Sequence, residues 1–307
     1  GEAPGIDPSL YWDDNGDSWY VGHGNLKPEP EWPNQTGIWL QRINLQTGDL
    51  FGPRTQLTHG HAANARWTEG PHLFKIDGKY LLMVAEGGTG FHHAITIFHA
   101  DSLQGPYTPY HQNPVLTHRH LGLDHPITTI GHGDLVQTQK GDWWSVMLGV
   151  RPLDRFNVLG RETFLTPVEM QDGAPVFNPG VGKVLSVDKR PDLPWTPFET
   201  PPERDEFDAQ TLDLRWNFLR TPRETWYSLK NGSLNIDLRP EMLTERVNPS
   251  LIARRIQHFT FTALTELEFD SEKQHETAGI AVLQNHQYHY RLVRQDKELR
   301  LYKHSGE

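Results

Sequence analysis

The 307-residue chain carries 29 Lys and Arg against 39 Asp and Glu, a net charge of −10, and no cysteine. This excludes disulfide staples and thiolate metal sites, leaves the compartment open, and disfavours nucleic acid, because no Lys/Arg-rich run could follow a phosphate backbone. No apolar stretch approaches a membrane span, so no membrane partner is expected, and the oligomeric state is left open.

The length suits two domains. With 10 Trp, 9 Tyr, 27 Gly and 23 Pro, and with short β-branched or aromatic runs bounded by turn residues, the chain reads as all-β. Three segments repeat one hairpin. The first runs Leu10-Tyr11-Trp12, turns at Asp14-Asn15-Gly16 and returns through Trp19-Tyr20-Val21. The second has Leu73-Phe74, a turn at Asp77-Gly78 and Tyr80 to Val84, and the third has Leu135-Val136, Lys140-Gly141 and Trp143 to Met147. Asn-Gly and Asp-Gly between apolar runs are strong hairpin signals. The turn glycines Gly16, Gly78 and Gly141 recur at intervals of 62 and 63 residues, room for about four strands, as in a propeller blade. Ile38 to Leu45 and Ile95 to Ala100, ending in Gly52-Pro53 and Gly105-Pro106, are expected as the outer strands of the first two blades.

Closed propellers need at least about four blades, so three units starting at the first residues lead to the expectation of an incomplete propeller whose beginning lies upstream of Gly1. The expected domains are a propeller over residues 1–190, a proline-rich linker over 191–204, and a partial β-sandwich over 205–307. In the last, Phe259, Phe261, Ala263, Thr265, Leu267 and Phe269 alternate with mostly polar neighbours, as do Tyr288, Tyr290 and Leu292, the pattern of half-buried antiparallel strands.

Nine residues before each turn glycine stand Asp7, Glu69 and His132. The innermost strands of propeller blades face one channel, so equivalent positions converge although they are far apart in sequence. Taken singly, each residue has an ordinary alternative: Asp7 before Pro8 begins a turn, Glu69 is a solvated loop charge, His132 is a structural histidine. Taken together they place two carboxylic groups and an imidazole in one pocket. Glycoside hydrolysis needs such a pair of acids, one with a raised pKa to protonate the leaving oxygen. The register is approximate, because the apolar anchor precedes the glycine by six residues at Leu10 and Leu135 but by five at Leu73.

Five motifs in order, Gly5-Ile6-Asp7-Pro8-Ser9, Glu69-Gly70-Pro71-His72-Leu73, Ala85-Glu86-Gly87-Gly88-Thr89, Gly131-His132-Gly133-Asp134-Leu135 and Leu159-Gly160-Arg161-Glu162-Thr163, resemble family 43 glycoside hydrolases. The resemblance implies a five-bladed propeller and an inverting enzyme, chiefly a β-xylosidase or an α-L-arabinofuranosidase. It implies Glu69 as general acid and Asp7 as the carboxylate that raises its pKa. His132, Arg161 and Phe91 are implied to contact the sugar, with a blade-to-blade ion pair to Glu162 the alternative for Arg161. No cofactor is required. A calcium ion at His132 is allowed by the resemblance, although an imidazole is a poor ligand for it compared with oxygen.

Pro249 to His258 and Ala278-Gly279-Ile280 resemble the sandwich appended to xylosidase-like members, which favours exo-cleavage of xylo- or arabino-oligosaccharides. The family's general base lies in an earlier Asp-Pro-Ser motif, and Asp7 is not taken for it, because Glu69 follows too soon. The base is therefore expected upstream of Gly1. A non-catalytic sugar-binding propeller and sandwich is the alternative of another class. A protein-binding scaffold is disfavoured, having no need of titratable residues in register.

Overall fold

The computed structural model describes residues 3–25, 29–270 and 273–306. Gly1 and Glu2, on which the reading of the chain start falls, lie outside them. The chain divides into two compact units, residues 1–195 and 196–307. The division falls inside the proline-rich 191–204 stretch.

The first unit contains three four-stranded antiparallel sheets, each a simple meander. The first blade holds β1 (Ser9–Trp12), β2 (Ser18–His23), β3 (Ile38–Ile43) and β4 (Leu50–Thr58). The second holds β5 (Glu69–Ile76), β6 (Lys79–Glu86), β7 (Ala94–Ala100) and β8 (Thr108–Pro109), and the third β9 (Thr128–Gln137), β10 (Trp143–Val150), β11 (Glu162–Gln171) and β12 (Ala174–Phe177). The leading strand β5 lies beside both β1 and β9, so the starts of the three blades meet. One expectation is corrected: Gly52-Pro53 does not end an outer strand but lies inside β4. Proline is tolerated there because β4 is the sheet edge and the β3–β4 pairing is irregular at that point.

The turns explain the unequal spacing of the repeat. Asp77 and Gly78 form a two-residue connection with both φ values positive, 50° and 79°, the primed turn that matches strand twist. The other two hairpins use longer loops. In the first, the Gly16 amide donates to the Asp13 carbonyl at 2.9 Å; in the third, the Thr138 amide donates to the Asp142 carbonyl at 2.8 Å.

Burial of β6 follows from its place between two blades. Tyr80, Leu82 and Val84 join one apolar cluster with Trp19, Val21, Ile38 and Leu40 of the first blade. Leu81 and Met83, on the opposite face, join another with Ile130, Leu135 and Met147 of the third. A strand covered on both faces reads as a continuous apolar run rather than an alternation. A polar tie crosses the first of these boundaries, where the Tyr80 hydroxyl donates to Asp13 at 2.9 Å and Lys75 pairs with Asp14 at 2.7 Å.

The second unit holds β13 (Asn217–Phe218) paired with β16 (Ile252–Ala253), the hairpin β14 (Tyr227–Leu229) and β15 (Leu234–Ile236), and a meander of β17 (Ala278–Leu283), β18 (Tyr288–Gln295) and β19 (Glu298–Ser305). Its buried anchor is Trp226, whose indole donates to Asn248 at 2.9 Å and whose ring meets Phe218 edge-on. Two expectations fail here. Residues 259–269 form no strand, and Phe261 is 48% exposed; no described strand pairs with this segment, and alternation without a ladder partner does not make a sheet. Tyr288, Tyr290 and Leu292 do lie on a strand, but they face outward, and His289 and Val293 are the buried side chains.

Candidate functional site

The site is built where the leading strands of the three blades begin. On β5, Glu69 faces Ala85 and the next paired residue, His72, faces Met83, which leaves one extra residue on β5. On β9, Gly131 faces Leu148 and Asp134 faces Val146, with the same surplus. Such bulges re-aim side chains. Three residues before the anchors Leu10, Leu73 and Leu135, the backbone turns left-handed in each blade, with φ of 51° at Asp7, 55° at Gly70 and 47° at His132.

Strand register therefore sets Gly70, not Glu69, level with Asp7 and His132. Counting from the turn glycines misplaces the middle blade by one residue because its turn is shorter. This offset has a use. A Cβ on Gly70 would stand 2.7 Å from the His132 ring, so the imidazole fills the space that a side chain would take, and Glu69 enters from the neighbouring position. Gly5 serves a similar close approach, since a Cβ there would collide with the His23 carbonyl at 1.9 Å.

Asp7, Glu69, His132 and Arg161 are brought together. The Asp7 carboxylate lies 3.9 Å from His132 Nδ1. Glu69 is 9% exposed; burial first and then the charge of Asp7 push its carboxyl above the ordinary range, while Arg161 acts in the opposite direction. Arg161 does not pair with Glu162, which is held instead by Arg151 through three contacts of 3.2, 3.0 and 2.7 Å. Phe91 is not gathered in: its ring meets His92 at 5.6 Å, and no contact among the described residues ties it to Asp7, Glu69 or His132.

Further histidines complete the surroundings, and the sequence reading missed their part. His72 Nδ1 lies 3.3 Å from Asp134, its ring is 6.3 Å from that of His132, and burial holds its pKa down against the pull of Asp134. His93 donates from Nδ1 to the Thr129 carbonyl at 2.9 Å and is held down to about 4, chiefly by burial, with His132 and Arg161 adding to the effect. His23 is lowered by burial, opposed by the charge of Asp7, and neither of its ring nitrogens has a hydrogen-bond partner among the described residues. The signal for His72 was present, inside the Glu69-Gly70-Pro71-His72 motif. Nothing in the sequence marked His23 or His93.

A calcium ion needs six or more oxygen ligands. At His132 one carboxylate, Asp7, is close, and among the described residues no group of three or more His, Asp or Glu side chains could hold a metal. Among the described residues, protein side chains alone do not supply such a shell. What the arrangement can do is hold a proton on Glu69 at a pH where an exposed carboxyl has lost it, beside donors able to orient hydroxyl groups.

Comparison with known proteins bears on this geometry. The sequence model of glycosyl hydrolases family 43 matches residues 1–175, and that of the beta xylosidase C-terminal concanavalin A-like domain matches residues 204–305. A xylosidase/arabinosidase of Butyrivibrio fibrisolvens is 40% identical over 95% of this chain and 57% of its own length. A non-reducing end alpha-L-arabinofuranosidase of Bacteroides ovatus is 38% identical over 85% of this chain and 49% of its own. The crystal structure of a xylan beta-1,4-xylosidase from Bacillus halodurans superposes with a TM-score of 0.88 at 34% identity, covering 98% of this chain and 59% of that one. The chain thus spans about half the length of the curated relatives it matches.

Proposed function

The chain belongs to glycosyl hydrolases family 43, and from that premise we propose that it forms part of an inverting exo-glycosidase that removes terminal xylosyl units from hemicellulose-derived oligosaccharides. The observation that carries this reading is the Glu69 carboxyl, buried and raised beside the charge of Asp7. A carboxyl so placed protonates the departing glycosidic oxygen as the bond to the anomeric carbon breaks. Asp7 acts on Glu69 and not on the sugar: its negative charge disfavours ionisation of the acid, so the proton is kept until the leaving group takes it. His132 and Arg161 offer donors to the hydroxyls of the bound sugar.

Inversion also requires a carboxylate on the opposite side of the ring, about 6.5–9.5 Å from the acid, to activate water. With Asp7 committed to Glu69, the proposal assigns this base to no residue of 1–307. An α-L-arabinofuranosidase is the second reading, favoured by the name of the Bacteroides ovatus relative; both readings share the same acid. The test compares Glu69→Gln with the parent on aryl pentosides. Loss confined to poor leaving groups, which need protonation, supports the assignment, and equal loss on nitrophenyl substrates refutes it.

A further inference from the structure

The first unit also has a cleft of about 320 Å³ whose lining includes none of Asp7, Glu69, His132 and Arg161, at the small end of the range for small-molecule sites, about 300–1,000 Å³. Its wall includes Arg66, Trp67 and Arg119. One acid, Glu86, lies on the wall, and it is already matched: it accepts the His61 amide at 3.0 Å and pairs with the His61 ring. That contact lifts the imidazole above its usual range. Neither the Arg66 nor the Arg119 guanidinium has a hydrogen-bond or ion-pair partner among the described residues. In a chain of net charge −10, two unmatched cations converge on one opening.

The aromatic wall is also specific. Trp67 is 39% exposed, its backbone is left-handed at φ 50°, and Gly88 leaves room for the indole, since a Cβ there would stand 2.8 Å from its ring. An exposed indole face suits the C–H side of a sugar ring, and a guanidinium fork suits a carboxylate. Trp67 stands two residues before Glu69 in the chain.

We propose that the cleft of Arg66, Trp67 and Arg119 is a second carbohydrate site that takes a sugar bearing a carboxylate, a uronic acid unit carried on the pentose chain. The proposal rests on the glycosidase reading above for its substrate class. It assigns the guanidinium groups to the carboxylate and the indole to the ring. A neutral sugar would leave both cations unmatched.

The experiment is calorimetric titration of the protein with D-glucuronate, D-glucose and acetate, alongside Arg66→Gln, Arg119→Gln and the double variant. Glucuronate should bind about tenfold or more tighter than glucose, and the double variant should lose that preference. Equal binding of glucuronate and glucose overturns the proposal. So does acetate binding as tightly as glucuronate, which would leave a plain anion patch, and so does a preference that survives in the double variant. Turnover of a neutral aryl pentoside is measured in parallel in the intact enzyme that carries the base, and should be the same in Arg119→Gln as in the parent. Absence of turnover in both counts against the glycosidase reading alone, because the glucuronate titration decides the cleft independently.

Discussion

Strands β6 and β18 are the same length and each sits in the middle of its own antiparallel arrangement, yet they are opposites in burial. Seven of the eight residues of β6 are buried, whereas two of the eight in β18 are. The difference is not one of intrinsic preference, since both are rich in aromatic and branched side chains. β6 has a blade against each face and divides its side chains between two cores. β18 buries His289 and Val293 on one face and leaves Tyr290 and Leu292 at 48% and 44% exposure on the other. Burial is conferred by what stands opposite, and the blade with both faces covered is also the one that carries the buried acid.

The largest break in that comparison is chemical. Glu69→Gln should reduce kcat/KM on substrates with poor leaving groups by about a hundredfold to ten-thousandfold, the range for loss of a general acid, measured by steady-state kinetics in the intact enzyme. Next comes Leu82→Ala, which opens a void between two blades and should cost about 2–5 kcal/mol in chemical denaturation. Asp7→Asn sharpens the account of the acid. Removing the neighbouring charge lowers the Glu69 pKa, so the alkaline limb of the pH–rate profile should move to lower pH; movement to higher pH would refute the role given to Asp7. Glu69 also has a sign for stability. Its pKa is higher folded than unfolded, so its contribution is fully present below the unfolded value and is lost as pH rises through the folded one. Glu69→Gln should accordingly raise Tm more at neutral than at acid pH, as scanning calorimetry can show. The smallest effect is expected in the second unit, where Tyr290→Ser on the open face should change stability by no more than about 0.5 kcal/mol.

The three hairpins, the four-strand repeat and the meeting of Asp7, Glu69 and His132 were legible because turn chemistry and apolar runs are local signals. The one-residue offset at Glu69 was visible as a spacing anomaly, but its meaning was not, since the anomaly alone did not say whether the strand or the two-residue Asp77-Gly78 turn was at fault. Phe259 to Phe269 misled because alternation records only the potential for a sheet, and pairing requires a second strand. Tyr288, Tyr290 and Leu292 gave the right period and the wrong buried face, which depends on a partner layer absent from a period-two pattern. His23 and His93 were silent because burial by residues distant in the chain leaves no trace in the neighbouring sequence.

The absent side chain at Gly70, filled by the ring of His132, links two positions on different blades in a way that mutational screens would register. Alanine at position 70 meets both a left-handed backbone and the imidazole, so it should be a strong loss-of-function allele. Second-site revertants selected against it should concentrate at position 132, where a smaller residue removes the collision but not the backbone strain. Rescue would therefore be partial, and paired inheritance of these two positions would trace the seam between the second and third blades.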